Sequence, residues 1–218
     1  MSPLEFFIDL SLERWSFWME GDRLKFRAPE SVPTEEILPR IREYKSELLH
    51  ILKNEPYQLS AYPLTYGQRA LWYIWKLAPE SSAYNQSIPL TSPLGASYEN
   101  WIESFRILLD RHPMLSTRFP LHATKPIQQR TDPAVMDCAW SDLSQCTMNE
   151  RDAAARKAHE APFDLETSAA VRFRVFSEDG TTPSTVLFTM HHIICDGWYP
   201  RGATPGTAYY SKCSCLGQ

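Results

Sequence analysis

Two adjacent histidines followed closely by an Asp-Gly pair are the residues of this chain best suited to chemistry. In the segment MHHIICDGW, His191 and His192 end an apolar run, and Asp196 and Gly197 come after three further residues. Neighbouring residues of a strand face opposite sides, so one histidine can face a cleft while the other packs inward, and the pair is unsuited to chelating one metal. An imidazole with a pKa of about 6.5 can accept or donate a proton at neutral pH. On these residues alone, a purely structural pair is the alternative.

Other signatures of enzymes and metal sites are absent from the sequence. It contains no Gly-rich phosphate loop, no Gly-x-Ser-x-Gly elbow and no His-Glu-x-x-His helix. No cysteine belongs to a Cys-x-x-Cys pair, which predicts free thiols rather than a zinc site or a disulfide framework. We therefore expect no metal and no cofactor bound by this chain. The cysteines are Cys138, Cys146, Cys195, Cys213 and Cys215.

Length, composition and charge indicate a soluble globular protein. The 218 residues suffice for one or two domains, and the hydrophobic share of 43% and charged share of 22% are ordinary. A net charge of -4 argues against a nucleic-acid partner held by a broad basic surface. No apolar run approaches the roughly 18 residues of a membrane span, and the first residues lack the basic start of a signal peptide. We expect a cytoplasmic protein with no membrane and no nucleic-acid partner.

Residues 1–53 are predicted to form a small domain with the order helix, hairpin, helix. Apolar residues at helical spacing predict a helix over 3–10, and two alternating runs around Gly21-Asp22 predict a β-hairpin. Thr34 is a candidate N-cap for the second helix. The polar segment that follows, 54–62, is typical of a linker.

The outward face of the predicted hairpin combines an aromatic with basic side chains. If the apolar residues of its second strand point to the core, the basic residues of that strand line up outside beside Trp18. Such a face suits an extended acidic peptide that adds edge-on to the hairpin. The alternative is an ordinary solvated face whose charges keep an edge strand from aggregating. The basic residues are Arg23, Lys25 and Arg27.

Residues 63–198 are predicted to mix helices and strands in an α/β sandwich-like body. Thr65 and Gln68 have the spacing of a capping box, and Thr147 and Glu150 repeat it. The run STVLFTM is apolar on both faces, as in a strand inside a covered sheet. The predicted helices run from the first capping box through Leu77, over 98–112 and over 151–161, and the predicted strands are 87–91, 116–121, 171–176 and 184–190.

Three segments of this body resemble, in order, the core motifs of the condensation domains of nonribosomal peptide synthetases. They are LTYGQRALWYIWKL at 64–77, DRHPMLSTRF at 110–119 and the HHxxxDG segment at 190–198. APFDL at 161–165 is similar to a further segment of that family. The resemblance implies an α/β (α+β) architecture, namely the N-terminal half of a chloramphenicol-acetyltransferase-like fold.

The same resemblance implies a reaction between two carrier-bound thioesters. The amine of an aminoacyl thioester on a downstream carrier protein attacks an acyl or peptidyl thioester on an upstream one, and an amide bond forms. The substrates would be held on the phosphopantetheine arms of these partner carrier proteins. His192 would orient the amine and take its proton, and His191 would pack inward. Since the thioester is already activated and an α-amine has a pKa near about 8, we expect positioning to matter more than basicity.

Asp196 and Gly197 would have supporting roles under this resemblance. Asp196 would hold the loop through a charged hydrogen bond, with Arg118 or Arg69 as its partner. Gly197 would allow a close backbone approach that aids the developing oxyanion.

The N-terminal region resembles the tubulysin-type N-terminal docking domain. FWMEGDRLKFRAP at 17–29 and the helix ending KSELLHIL carry this resemblance. It implies that the chain binds the C-terminal tail of an upstream synthase subunit, and it admits a homodimer through the docking domain. It favours the hairpin face with Lys25 and Arg27 as a peptide-binding groove.

The resembled condensation domain continues into a second half with further motifs, which we do not find in this sequence. Residues 199–218 have no helical period and are predicted to be an irregular, aberrant tail, with a genuine divergent tail as the alternative. We expect a fragment of a synthetase with little or no condensation activity by itself. The alternatives are a non-catalytic docking fragment and an acyltransferase of the same superfamily that uses coenzyme A.

Overall fold

The computed structural model describes residues 1–30 and 34–195, which form a mixed α/β structure. The helices are α1 Pro3–Leu12, α2 Leu38–Glu43, α3 Lys45–Asn54, α4 Tyr66–Leu77, α5 Tyr98–Arg111 and α6 Met148–Glu160. The strands are β1 Ser16–Glu20, β2 Arg23–Arg27, β3 Ala61–Pro63, β4 Asn85–Thr91, β5 Thr117–Arg118, β6 Leu121–His122, β7 Lys125–Arg130, β8 Cys138–Asp142, β9 Val171–Ser177 and β10 Thr185–His191. No helix within the described ranges is long and apolar enough to cross a membrane. The predicted tail, 199–218, lies outside them.

The first three helices and the hairpin β1–β2 enclose one small core. A complete capping box, formed by Ser2 and Glu5, opens α1. Gly21 turns the hairpin with a φ of 61°, a left-handed value that glycine adopts without strain. Phe7 of α1 and Leu48 of α3 are fully buried in this core. The predicted order of helix, hairpin and helix is confirmed, except that the last helix is divided in two.

That last helix begins later than the sequence predicts. Residues 34–37 form turns, and α2 begins at Leu38 without a side chain capping its first turn. Pro39 is the second residue of α2, where the first turn has no use for its missing N–H. Tyr44 then separates α2 from α3. The prediction that Thr34 caps this helix is therefore wrong.

The segment predicted as a linker, 54–62, is ordered and belongs to the packed structure. Pro56–Leu59 forms a 3-10 helix, and β3 follows at once and pairs with β7. The amide of Gln129 on β7 donates to the carbonyl oxygen of Gln58 at 2.8 Å. The polar composition of the segment therefore does not make it an irregular connection, because its polar groups are bonded to the neighbouring sheet. The domain boundaries themselves stay a prediction.

Four strands form the main sheet in the order β4-β10-β9-β8. β10 is antiparallel to both β4 and β9, whereas β8 is parallel to β9. Phe105 and Leu109 of α5 pack against one face of this sheet, and Ala155 of α6 packs against the other. β10 consequently directs Val186 to the α5 side and Leu187 to the α6 side. The prediction that this strand is buried on both faces is confirmed.

A second, smaller sheet is built on β7, which pairs with β3, β5 and β6. The sequence predicts one strand over 116–121, and the structure has three pieces instead. Pro113–Ser116 is a 3-10 helix, and Pro120 separates β5 from β6. A proline cannot donate to the hydrogen-bond ladder, so a single continuous strand is not formed through it.

α1 packs against the second sheet as well as against its own core. Ile8 contacts Ala61 of β3 and Ile127 of β7 in a separate apolar cluster. Next to it, the Asp9 carboxylate lies 2.8 Å from Nε2 of His122. α1 therefore joins the N-terminal region to the body. Phe7 faces the N-terminal core, whereas Ile8 and Asp9 face the second sheet.

We expect Ile8→Ala and Ile127→Ala to have coupled effects on the free energy of unfolding, because each substitution removes an apolar contact of the other side chain. Each single change should cost about 2–5 kcal/mol, and a double-mutant cycle by urea denaturation should give a coupling of about 0.5–3 kcal/mol. The control cycle combines Ile8→Ala with Val175→Ala, in the main sheet, and should be additive. Additivity in the first cycle would contradict the contact.

Candidate active site and docking face

The histidine pair lies where β10 ends, as the sequence predicts. His191 is the last residue of the strand, and His192 begins a 3-10 helix that ends at Ile194. The backbone N–H of His191 donates to the Ala170 carbonyl at 3.0 Å, and that of His192 donates to the Tyr84 carbonyl at 2.8 Å. Backbone hydrogen bonds therefore hold both histidines in place, independently of their side-chain contacts.

His191 packs inward and is held neutral. Its side chain is 2% exposed and lies beside the rings of Tyr84 and Phe163. Nδ1 accepts a hydrogen bond from the backbone N–H of Ile193 at 3.1 Å. Burial, with a smaller contribution from the neighbouring His192, lowers the pKa of His191 to about 4. This imidazole is therefore a structural hydrogen-bond acceptor.

His192 is half-buried and is contacted through one ring nitrogen. Its Nδ1 lies 3.2 Å from Nε2 of Gln86 and 3.9 Å from Sγ of Cys195. The Cys195 thiol in turn donates to Oε1 of Gln86 at 3.3 Å. Within residues 1–30 and 34–195, the other ring nitrogen, Nε2, has no hydrogen-bond partner.

Gln86 is a site residue that the sequence analysis misses. It lies on β4 and is paired in register with Met190 of β10. Gln86 lies just before the strand predicted over 87–91, and a polar residue at that position is also typical of any solvated strand end. Only the pairing of β4 with β10 brings the amide to the ring of His192.

α4 packs against the segment that carries the two histidines. The indole N–H of Trp72 donates to the carbonyl of Phe119, and that of Trp75 donates to the carbonyl of Phe163, both at 2.8 Å. Ile193 packs into the same apolar cluster as these two tryptophans. The buried indole N–H groups have hydrogen-bond acceptors, and the rings contact the 3-10 helix. This packing holds the 3-10 helix that carries His192 in place.

Asp196 and Gly197, predicted as supporting residues, lie outside the described residues. The two arginines predicted as partners of Asp196, Arg118 and Arg69, lie within the described residues and can be compared. Arg118 donates from Nη2 to Oε1 of Gln129 at 2.8 Å, and its buried Nε has no partner within the described part of the chain. Arg69, by contrast, is exposed and lies over the ring of Tyr66.

The outward face of the hairpin has the composition that the sequence predicts. Trp18 is 43% exposed and stands directly opposite Lys25 on the neighbouring strand. Arg23 and Arg27 are exposed on the same face of β2. One acidic side chain is among them, since a carboxylate oxygen of Glu20 lies 3.2 Å from Nζ of Lys25.

The described side chains form no group of three or more histidine, cysteine, aspartate or glutamate residues that could hold a metal ion. Cys138 and Cys146 are free thiols in this part of the chain.

Comparisons with known proteins agree with this architecture. The Condensation domain family matches residues 58–199, and the TubC N-terminal docking domain matches residues 16–54. Bacitracin synthase 2 of Bacillus licheniformis is 23% identical over 209 residues, which are 90% of this chain and 8% of that protein. Phosphinothricin tripeptide synthetase PhsB of Streptomyces viridochromogenes is 31% identical over 140 residues, 62% of this chain and 12% of that protein. The chain thus spans a small part of the length of these relatives.

Solved structures have the same fold. A holo four-domain nonribosomal peptide synthetase bound to AMP and glycine superposes with a TM-score of 0.58 at 22% identity, covering 64% of this chain and 11% of that one. The starter condensation domain of rhizomide synthetase gives a TM-score of 0.52 at 21% identity, covering 63% and 33%. The chain belongs to the condensation domain family, with its chloramphenicol-acetyltransferase-like fold. At its N-terminus it carries a TubC-type docking domain.

Acid should destabilise this protein through His191. The unfolded chain binds a proton there near a pKa of about 6.5, and the folded chain binds it only near about 4. Between these values the unfolded state holds more protons, so the free energy of unfolding falls as the pH drops from 6.5 to 4. The loss for this group is at most about 3 kcal/mol. Burial also lowers the pKa of His159, which acts in the same direction.

We expect His191→Asn to weaken this pH dependence, measured by urea denaturation at a series of pH values. Asparagine keeps an oxygen acceptor for the N–H of Ile193 and does not titrate. His112→Asn, at an exposed histidine, is the control and should leave the dependence as in the wild type. An unchanged slope in the His191 variant would show that this imidazole is not the group responsible.

Proposed function

We propose that this chain takes part in amide-bond formation between thioesters held on two carrier proteins, with His192 at the reacting groups. The observation that carries the proposal is the half-buried His192, whose Nε2 has no partner within the described residues, in a domain of the condensation family. The relatives span much more than this chain, so the reaction and its carrier-borne substrates are proposed here and not transferred from them. The expected low activity of the chain by itself stays a prediction.

In this proposal, Nε2 of His192 faces the amine and the thioester. The ring can act there in two ways: it can accept the proton of the amine, or it can donate a hydrogen bond to the thioester oxygen as negative charge develops. Which of the two applies depends on the partner of Nδ1, because a neutral imidazole carries one proton.

Arg118 is the better candidate for the predicted partner of Asp196. A guanidinium whose buried Nε lacks a partner among the described residues gains most from a carboxylate, since an unsatisfied buried donor is costly. The exposed Arg69 has no comparable need. We propose that such a pair would hold the loop that follows the histidines.

We expect a carrier-borne electrophile to label His192→Cys. A carrier protein of a nonribosomal peptide synthetase is loaded with a chloroacetyl group on its phosphopantetheine arm, and tandem mass spectrometry locates the label, which distinguishes position 192 from the nearby Cys195. If the arm reaches position 192, tethering should speed labelling about tenfold or more over the free chloroacetyl-pantetheine.

The matched control for this labelling is His112→Cys, which places a thiol at an exposed histidine outside the candidate site. It should show no advantage of the carrier over the free reagent. Equal carrier-dependent labelling at both positions, or none at position 192, would count against entry of the arm at His192.

We further propose that the docking domain binds an acidic, extended segment of an upstream synthase subunit. β1 and β2 form a two-stranded sheet, so β2 has no strand on its outer edge within the described residues. A third strand could add there through main-chain hydrogen bonds, and the face with Trp18, Lys25 and Arg27 would contact alternate side chains. The carrier proteins and this upstream tail are the proposed partners, and association into a homodimer stays a prediction.

A titration with an acidic peptide tests the docking face. The double variant Lys25→Glu and Arg27→Glu should weaken binding about tenfold or more, because it replaces two attractions with two repulsions. Binding to the wild type should also weaken as salt is added. Arg42→Glu, an exposed charge reversal on α2, is the control. Equal affinities for the double variant and the wild type would exclude this face.

A further inference from the structure

Nδ1 of His192 is contacted by the side-chain amide of Gln86, and this amide has a second partner. Gln86 extends from β4 toward the end of β10, where its Nε2 lies 3.2 Å from Nδ1 of His192. Its Oε1 accepts from the thiol of Cys195 at 3.3 Å. One amide thus bridges the imidazole and the thiol, and all three side chains are half-buried.

The thiol favours one orientation of the amide toward the ring. Among the described residues, the Cys195 thiol has three acceptors in reach, and the Oε1 of Gln86 at 3.3 Å is nearer than the His191 carbonyl at 3.7 Å and Nδ1 of His192 at 3.9 Å. A thiol is a weak donor, and its sulfur is a weak acceptor, so an amide oxygen suits Cys195 better than an amide NH₂ group does. The amide NH₂ group is then directed to Nδ1 of His192, which must accept. A ring nitrogen that accepts carries no proton, so the single proton of the neutral imidazole lies on Nε2.

We infer that Gln86 is a positioning residue that holds His192 in the Nε2–H tautomer, so that the ring serves the reaction as a hydrogen-bond donor rather than as a proton acceptor. The inference about the reaction rests on the function proposed above. It replaces the general-base role that the family resemblance implies with stabilisation of the thioester oxygen.

The reaction balances without a side-chain base. The amine nitrogen attacks the thioester carbon, the C–N bond forms, and the carbonyl oxygen becomes an oxyanion to which Nε2–H donates. When the oxyanion collapses, the C–S bond breaks, and the sulfur leaves with the electron pair and takes the proton of the amine. The pKa values of an α-amine, about 8, and a thiol, about 8.5, are close enough for this transfer.

The tautomer can be measured directly on the whole chain. With ¹⁵N-labelled histidine above neutral pH, long-range ¹H–¹⁵N spectra distinguish a protonated from an unprotonated ring nitrogen, and His192→Gln identifies the signals of this ring. We expect Nε2 protonated and Nδ1 unprotonated in the wild type. In Gln86→Glu the carboxylate can only accept, so the proton should move to Nδ1 and the two ¹⁵N shifts should exchange.

Gln86→Met keeps the length of the side chain and removes both hydrogen bonds. Here the two ¹⁵N shifts of His192 should move toward each other, as both tautomers become populated. Gln145→Glu makes the same chemical change at an exposed glutamine and should leave the ring as in the wild type. The signals of the other histidines report whether each variant is folded.

Two results would overturn the inference: a wild-type ring protonated on Nδ1, or folded Gln86→Glu and Gln86→Met variants whose His192 shifts equal those of the wild type. If Gln86→Glu does not fold, the methionine variant alone decides. The readout needs no turnover, so failure of the carrier-labelling experiment would remove the proposed reaction and leave the tautomer assignment standing.

Discussion

The pairing of β10 with β4 on one edge and β9 on the other is the constraint on which the candidate site depends. A strand held on both edges alternates its side chains strictly between two covered faces, so its last residue, His191, is committed to the interior. The chain then turns into a 3-10 helix at His192, whose N–H is bound by Tyr84. The same pairing brings Gln86 to the imidazole of His192.

Two neighbouring imidazoles are given different surroundings by this arrangement. Burial removes the charged form of His191 and leaves it as an acceptor for a backbone N–H. His192 keeps a half-exposed ring with one nitrogen bound and one without a partner in the described part of the chain. The tryptophans of α4 pack against the segment that carries both histidines. Their own positions are held because their buried N–H groups donate to backbone carbonyls distant in the chain.

The docking domain is joined to the body by packing as well as by the chain. α1 places Phe7 in the N-terminal core and Ile8 on the second sheet, so both units share one helix. Phe17 of the hairpin packs inward, which leaves the face with Trp18 and Lys25 turned away from that core. A partner segment could therefore bind the hairpin without displacing the contact between α1 and the body.

The sequence by itself determined the features whose signals lie within a few residues of one another. The capping boxes at Thr65 and Thr147, the hairpin at Gly21 and the alternation of the last buried strand are of this kind, and the structure contains all of them. The motif order also determined the family. The Thr34 cap and the single strand over 116–121 are wrong: α2 begins at Leu38 without a side-chain cap, and Pro120 divides the strand.

Only the tertiary structure decided what surrounds the imidazole of His192. Gln86 is 106 residues away in the chain and reaches the ring through strand register. No local rule encodes that register, since it follows from which strands pair and how far they slide before their side chains pack. The second face of α1, with Ile8 against Ile127, was decided in the same way, because an amphipathic helix indicates a buried stripe and not the partner that buries it.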